Sequence, residues 1–241
     1  MRKFGIALVV ATALSACAAQ APSDLADAVA LCERVWDDDI TAPTQRACSQ
    51  VIAQSSVDLE RADAYNARGV IHRRKGRFSE AVTDFNEAIQ LNPRSSSAHS
   101  NRGIAYAQMG KGDLSMASFS KAIELNPKNA TAYNNYSWFL SKRGDYEDAL
   151  AMADKALENN FRHQEYHDTK AHALMGLGRQ EDAEEAFDIA ASFGGAALVK
   201  AYQKSLIAKG YDPGRSDGEF DERTKEALAA CIRDNCRLML D

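Results

Sequence analysis

Apolar residues in the middle of this chain recur at two spacings at once. Locally they step by three and four, the mark of an amphipathic helix; Phe78, Ala81, Phe85 and Ala88 form one such stripe. Over longer distances they return every 34 positions. Gly76, Gly110, Gly144 and Gly178 keep that interval, as do Ala88, Ala122, Ala156 and Ala190, and Phe85, Phe119, Ala153 and Phe187. A fixed period of this length predicts a stack of like helical units, each too small to bury its own apolar face.

Each unit reads as helix, turn, helix. Between Ala62 and Pro93, residues Tyr65, Gly69 and His72 share one face of the first helix. Gly76 stops that helix, because glycine takes the left-handed backbone of a helix end. Leu91-Asn92-Pro93 closes the unit, since proline cannot continue the helix. The next copy uses His99, Gly103, Tyr106, Gly110, Phe119, Ala122 and Leu125-Asn126-Pro127. The third has Tyr133, Ser137, Leu140, Gly144, Tyr146, Ala149 and Ala156, with Ala153 in the Phe slot and Phe161 in the Pro slot. The fourth has His167, Ala171, Leu174, Gly178, Ala183, Phe187 and Ala190, and ends in Gly194-Gly195. Small residues at Gly69, Gly103, Ser137 and Ala171 are expected to let the two helices of a unit approach closely.

This succession of a bulky residue, Gly, Tyr, Gly, Ala, Phe, Ala and Pro resembles the tetratricopeptide repeat. The resemblance implies an all-α solenoid of about four helical hairpins over residues 61–194. Counting back one unit places Ala47 and Val51, with Leu31 and Val35 before them, in matching slots. Residues 25–60 are therefore expected to be a degenerate helical pair capping the stack. The resemblance also implies that the first helices of successive units line a concave groove. Read at the repeat interval, that face presents Asn66, Ser100, Asn134 and Asp168, then Val70, Ile104, Trp138 and His172, with Arg73 and Lys142 nearby. These residues suit an extended protein or peptide client, whose backbone and acidic groups they would hold around Trp138. The alternative is that Val70 and Ile104 pack between units and the polar residues form a solvated face.

After residue 194 the grammar changes. Leu198, Val199, Tyr202, Leu206 and Ile207 form one apolar stripe, a turn-rich stretch runs from Tyr211 to Gly218, and Ala227, Leu228, Cys231 and Ile232 form a second stripe. Gln203, Leu206, Gly210-Tyr211, Gly214, Asp217-Gly218, Phe220, Thr224 and Ala227 resemble the small helical peptidoglycan-binding domain of wall hydrolases. The sequence departs from that pattern at Tyr202, Asp221 and Cys231. The resemblance implies a small helical domain over 195–241, with Tyr211, Asp217, Gly218 and Phe220 as candidate peptidoglycan contacts. A helical cap that closes the stack without touching glycan is the competing reading.

The amino-terminal residues fit export. Arg2 and Lys3 precede an apolar run from Ile6 to Leu14 that is too short to span a bilayer. The run closes on Leu14-Ser15-Ala16-Cys17, which resembles a bacterial lipobox. That resemblance implies a signal peptide over 1–16, lipidation of Cys17, and a tether over 17–24. An ordinary secretory cleavage after Ala16 or Ala19 would instead leave Cys17 incidental. Ala18 after the cysteine, where Asp would retain a lipoprotein in the inner membrane under the enterobacterial sorting rule, implies a periplasm-facing place on the outer membrane.

That compartment bears on the remaining cysteines. Cys32, Cys48, Cys231 and Cys236 are an even set, expected in an oxidising periplasm to pair as Cys32–Cys48 and Cys231–Cys236. No C-x-x-C pair supports zinc. His163-Gln164-Glu165-Tyr166-His167 misplaces the glutamate of a zinc-protease helix by one position, and no phosphate loop, serine elbow or Cys–His pair is recognisable. No cofactor, metal or catalytic residue is expected. The formal net charge of −5 lacks the basic excess that nucleic acid requires. The sequence thus reads as a lipid-anchored adaptor for a protein partner. The alternative is a structural link between outer membrane and peptidoglycan with no dedicated client.

Lipidation is directly testable. Mass spectrometry of the mature amino terminus is expected to show an acylated Cys17, and Cys17→Ala to release the protein into the soluble periplasm. A free terminus at Gln20 or beyond would contradict it.

Overall fold

The computed structural model describes residues 24–37, 40–236 and 238. Residues 1–16, Cys17, most of the proposed tether, and Asp38 and Asp39 lie outside the described residues. Eleven α-helices are found among the described residues, and no strand. They are α1 (Leu25–Glu33), α2 (Ala42–Gln54), α3 (Asp58–Arg74), α4 (Phe78–Leu91), α5 (Ser96–Gln108), α6 (Gly112–Leu125), α7 (Ala130–Arg143), α8 (Tyr146–Asn159), α9 (Gln164–Gly176), α10 (Gln180–Ala208) and α11 (Glu222–Arg233). A short 3₁₀ turn, Arg34–Asp37, follows α1. None of these helices is long and apolar enough to cross a membrane.

The helices form antiparallel pairs, α3 with α4, α5 with α6, α7 with α8, and α9 with the first half of α10, stacked in chain order. One local device closes the first helix of every pair. Gly76, Gly110, Gly144 and Gly178 take φ of +73°, +72°, +92° and +72°. The next residue's N–H then reaches back to a carbonyl five positions earlier: Arg77 to His72, Lys111 to Tyr106, Asp145 to Leu140 and Arg179 to Leu174, at 2.9 to 3.0 Å. These bonds satisfy carbonyls that the helix end leaves open and turn the chain sharply into the second helix. Ser95 and Asn129 cap α5 and α7 by accepting from the Ala98 and Ala132 N–H groups.

Inside each hairpin a small residue faces the second helix. A Cβ built on Gly69 would lie 2.6 Å from the Phe85 ring, and one on Gly103 would lie 2.9 Å from Phe119. Ser137 and Ala171 occupy the same slot in the third and fourth hairpins and are fully buried. At the amino end, α1 and α2 pair, and a Cys32–Cys48 disulfide joins them with a Cα–Cα distance of 4.8 Å. Ala28, Cys32, Val35, Ala47 and Val51 share a core with Ala67, Val70 and Ile71 of α3.

The carboxy-terminal segment has no core of its own. Val199, Tyr202, Leu206, Ala227, Leu228, Cys231, Ile232 and Leu238 join Ala171, Leu174, Met175, Ala183 and Phe187 of the fourth hairpin in one cluster. α10 is broken at Gly195 (φ +59°, ψ −160°), so its second half packs as a separate helix. That half keeps the repeat's spacing when counted from its stop. Gly210 (φ +88°) ends it, and Tyr211 N–H bonds to Leu206 carbonyl at 3.0 Å. Seven residues before the stop, where the hairpins carry Gly69, Gly103, Ser137 and Ala171, stands Gln203. Its buried amide fills the space of a longer turn, donating to Glu219 carbonyl at 3.0 Å and Thr224 Oγ1 at 3.1 Å while accepting from Gly218 N–H at 2.9 Å. The segment is a final helical pair built onto the fourth repeat.

The close approach at Gly69 makes a signed forecast. Alanine in a helix interior ordinarily gains about 1 kcal/mol over glycine. Gly69→Ala is instead expected to destabilise by about 1–3 kcal/mol, because the methyl group overlaps Phe85. Gly112→Ala, whose Cβ meets nothing closer than 3.4 Å, is expected to stay within about 0.5 kcal/mol of the parent. Chemical denaturation of both variants checks the contrast.

Candidate functional site

The column expected to line the groove is largely spent on holding the repeats together. Asn101 donates to Asn66 at 3.0 Å, Asn135 to Ser100 at 3.3 Å, and Tyr202 hydroxyl to Asp168 at 2.7 Å. Each donor lies one hairpin further along the stack, so these residues form a ladder between neighbouring units. Val70 is 2% exposed and belongs to the core between the capping pair and the first hairpin, so it offers nothing to a ligand. Asn66, Ser100, Asn134 and His172 are likewise buried. The correction has a simple cause. The period places equivalent residues on equivalent faces, but superhelical twist decides whether that face meets solvent or the next helix. Asn134 is the open step, its Oδ1 buried without a hydrogen-bond partner.

One turn over, an accessible cleft of about 780 Å³ opens across α3, α5 and α7. Its apolar wall is Ile104, Ala107, Phe119, Trp138 and Phe139, and its polar lining is Arg73, Gln108, Asn135, Lys142 and Arg143. Of the residues expected to line the groove, Arg73, Ile104, Trp138 and Lys142 line this cleft; Gln108, Asn135, Phe139 and Arg143 line it too and stood outside that expectation. A signal existed in the crowding of Tyr133, Tyr136, Trp138 and Phe139 into one helix. Phe119 stacks on Tyr136 at 5.3 Å and tilts against Phe139 at 5.8 Å, which holds that wall rigid. Trp138 is half-buried, with the Lys142 ammonium 4.6 Å from its ring and His172 edge-on at 5.4 Å.

The cleft's charge is one-signed. Among the described residues no carboxylate lines it, whereas Arg73, Lys142 and Arg143 do. Arg143 lies 5.7 Å from the Phe139 ring and pairs with Asp145 at 3.0 Å. Arg73 differs: its Nε is buried with no hydrogen-bond partner. Burial, and then the neighbouring Arg74, hold its guanidinium below the ordinary arginine value. A desolvated cation without a counter-charge is costly, and an arriving carboxylate would relieve that cost.

The other candidate residues have partners within the chain. Asp168 is held above the usual carboxylate range by burial, although His172 and the Tyr202 hydroxyl favour its charged form. Burial also raises Tyr202 far above the ordinary phenol value, followed by the nearby Asp168. Among the described residues, no group of three or more His, Cys, Asp or Glu converges as a metal site. His167 sits in the bulky interior slot, with Nε2 2.7 Å from the Phe161 carbonyl oxygen. In the carboxy-terminal pair, Tyr211 hydroxyl donates to Asp234 at 2.8 Å, and the Lys225 ammonium lies 5.6 Å from the half-buried Phe220 ring. Asp217 accepts from Glu219 N–H at 3.0 Å. Gly218 takes φ +91°, and an added Cβ would meet Ala196 carbonyl oxygen at 2.6 Å. These four residues build the turn, and Asp217 alone among them is exposed.

The buried histidines fix a pH dependence. His72, His99 and His167 are each held below 6.5, mainly by burial. Between the lowered folded value and 6.5 the unfolded chain binds more protons, so stability is expected to fall as pH drops below about 6.5. Asp168 acts in the opposite sense, because its folded value is raised. Comparing the parent with a His99→Tyr/His167→Tyr double variant, which restores the side chain of Tyr65 and Tyr133, isolates the histidine share. Thermal melts from pH 7.5 to 5.5 are expected to show a shallower loss in the variant.

Comparison with known proteins agrees with this fold. Models of the tetratricopeptide repeat match residues 63–110, 96–129 and 118–151. A crystal structure of MamA is similar in fold, with TM-score 0.53 and 17% identity over 67% of this chain and 92% of that one. A second MamA structure has TM-score 0.53 and 16% identity over 77% and 95%. No curated protein matches the chain. The chain contains tetratricopeptide repeats, and its fold is their solenoid.

Proposed function

We propose that this protein is a non-enzymatic scaffold that holds an extended, acidic and apolar segment of a partner protein in its concave cleft. The cleft itself carries the reading. In a chain of net charge −5, the wall of Ile104, Trp138 and Phe139 is rimmed by Arg73, Lys142 and Arg143 and, among the described residues, by no carboxylate. Apolar side chains of a client would lie on that wall, and its acidic groups would meet the cations, Arg73 above all. The amides of Gln108 and Asn135 offer hydrogen bonds to client main chain. Acylated Cys17 would anchor the scaffold to the periplasmic face of the outer membrane, placing its client in assembly of the bacterial cell envelope.

A second reading rests on the Gln203-pinned turn, whose matching residues resemble a peptidoglycan-binding domain. Here the final helical pair would also lie against the wall, linking it to the outer membrane. Co-sedimentation with purified sacculi tests that role separately; a wall-binding protein pellets with them and loses this property on Asp217→Ala.

The client reading is tested with a fluorescein-labelled, unstructured peptide of Asp, Glu, Leu and Phe, beside a counterpart with Lys at each acidic position. Fluorescence anisotropy is expected to show binding of the first and not the second, weakening with salt. Trp138→Ala is expected to cost about 2 kcal/mol or more, roughly 30-fold in Kd, as a central aromatic anchor does. Arg73→Gln is expected to weaken binding and flatten its salt dependence. Equal binding of the two peptides, or a Trp138→Ala variant that melts lower but binds unchanged, would overturn the proposal.

A further inference from the structure

The open cleft stops at Trp138, although the concave face does not. Beyond it, α9 presents His172 and Met175, and here the chain has covered itself. α11 ends at Arg233, Asn235 takes φ +52°, and Cys236 N–H bonds back to the Cys231 carbonyl at 2.8 Å. A Cys231–Cys236 disulfide, with Cα atoms 5.0 Å apart, fixes this reversal. The returning strand of chain places Asn235 against Trp138, Lys142, Tyr146, His172 and Met175 around a cavity of only about 10 Å³. Leu238 is fully buried in the core of the fourth repeat, and its carbonyl oxygen lies 2.6 Å from His172 Nε2.

These contacts have the chemistry of a bound peptide. An apolar side chain enters the core, and a neutral main-chain carbonyl meets a buried ring nitrogen. The other His172 nitrogen lies 2.8 Å from the Asp168 carbonyl oxygen, which orients the ring toward the tail. Trp138 stands at the junction, contributing to the open cleft on one side and to the covered end on the other.

We propose that His172 and Trp138 form a further peptide subsite of the groove, and that the chain's own Asn235, Cys236 and Leu238 occupy it as an internal competitor of the client. The inference rests on the client reading of the cleft. It adds that the groove has two lengths. With the tail seated, a client is confined to α3, α5 and α7; with the tail displaced, it extends over α9. The Cys231–Cys236 bridge is the positioning element, because it returns the tail to α9 instead of letting it leave along the axis of α11. Occupancy of one subsite by tail or client makes the two mutually exclusive, so loosening the tail tightens the client.

The experiment uses the full chain with Trp36→Phe, so that Trp138 is the single reporter tryptophan. Leu238→Asp places a charge where the tail enters the core, and Cys236→Ser removes the tether while leaving Leu238 in place. Circular dichroism melts establish that each variant folds. In both, Trp138 emission is expected to shift to the red with increased iodide quenching. The fluorescein-labelled Asp/Glu/Leu/Phe peptide, made long enough to span four helices, is expected to bind about tenfold more tightly than to the parent. A shorter peptide spanning three is expected to bind all forms alike. Unchanged Trp138 emission in folded Leu238→Asp would overturn tail seating, and in folded Cys236→Ser its positioning by the bridge. A red shift with unchanged or weaker binding of the long peptide would overturn the competition alone. Failure of either peptide to bind any form would overturn the client reading and this inference with it, leaving the emission result to report tail seating separately. If Leu238→Asp does not fold, Cys236→Ser decides the competition.

Discussion

The architecture depends on how closely two helices of a hairpin approach at one point. At Gly69 and Gly103 the second helix's phenylalanine lies so near that a methyl group would overlap it. A phenylalanine ring against bare backbone buries a large apolar surface and fixes the angle between the helices. Repetition of that angle makes the hairpins stack as copies, since each presents the same shape to its neighbour. The third hairpin departs from this rule and shows what the wedge controls. Ala153 replaces the phenylalanine, and Ser137 hydroxyl donates to Ala149 carbonyl at 2.7 Å in place of ring packing. Its aromatic residues lie elsewhere: Tyr136 and Phe139 pack on Phe119 of the preceding hairpin, and Trp138 lines the cleft. The cleft's apolar wall therefore lies where the inner core of a hairpin is weakest in aromatic content.

The period was legible because it is a local property, one residue per slot, and each slot answers to a single constraint. Gly76 and its successors stop a helix; Phe85 and Phe119 fill a hairpin. The groove column was only partly legible, because its environment depends on twist between units. Asn66, Ser100 and Asp168 read as ligand contacts, yet their partners are Asn101, Asn135 and Tyr202, one hairpin along. A polar residue repeated at the unit spacing serves an interface between units as readily as a ligand. Val70 and Trp138 occupy equivalent positions and differ in fate, because the capping pair lies against the first hairpin and covers Val70. The contact of His172 with Leu238 spans 66 residues and follows from no pattern within either helix.

Charge is distributed against the composition. Carboxylates collect between the last two helices, where Glu181, Glu184, Glu185, Asp188, Glu222 and Glu226 line a pocket with Lys225. Cations collect in the cleft instead. An acidic exterior repels acidic segments in general, so affinity for one is confined to the place where Arg73, Lys142 and Arg143 outweigh it. The apolar wall lowers the local dielectric and strengthens that attraction over its value at an open surface.

A solenoid's ends are its weak points, because a terminal unit has one neighbour instead of two. The two disulfides sit at these ends, yet they act differently. Cys32–Cys48 closes a loop with sequence separation 16, long enough to remove about 3 kcal/mol of chain entropy from the unfolded state. It stabilises the pair that covers Val70. Cys231–Cys236 closes a separation of 5 and by the same relation removes about 2 kcal/mol, less than the first bridge. Its distinct consequence is the folded geometry it imposes. That geometry is the reversal at Asn235, which carries Leu238 into the fourth repeat and its carbonyl to His172. The first bridge keeps one end of the stack shut, while the second directs a short segment onto the surface where a partner would lie.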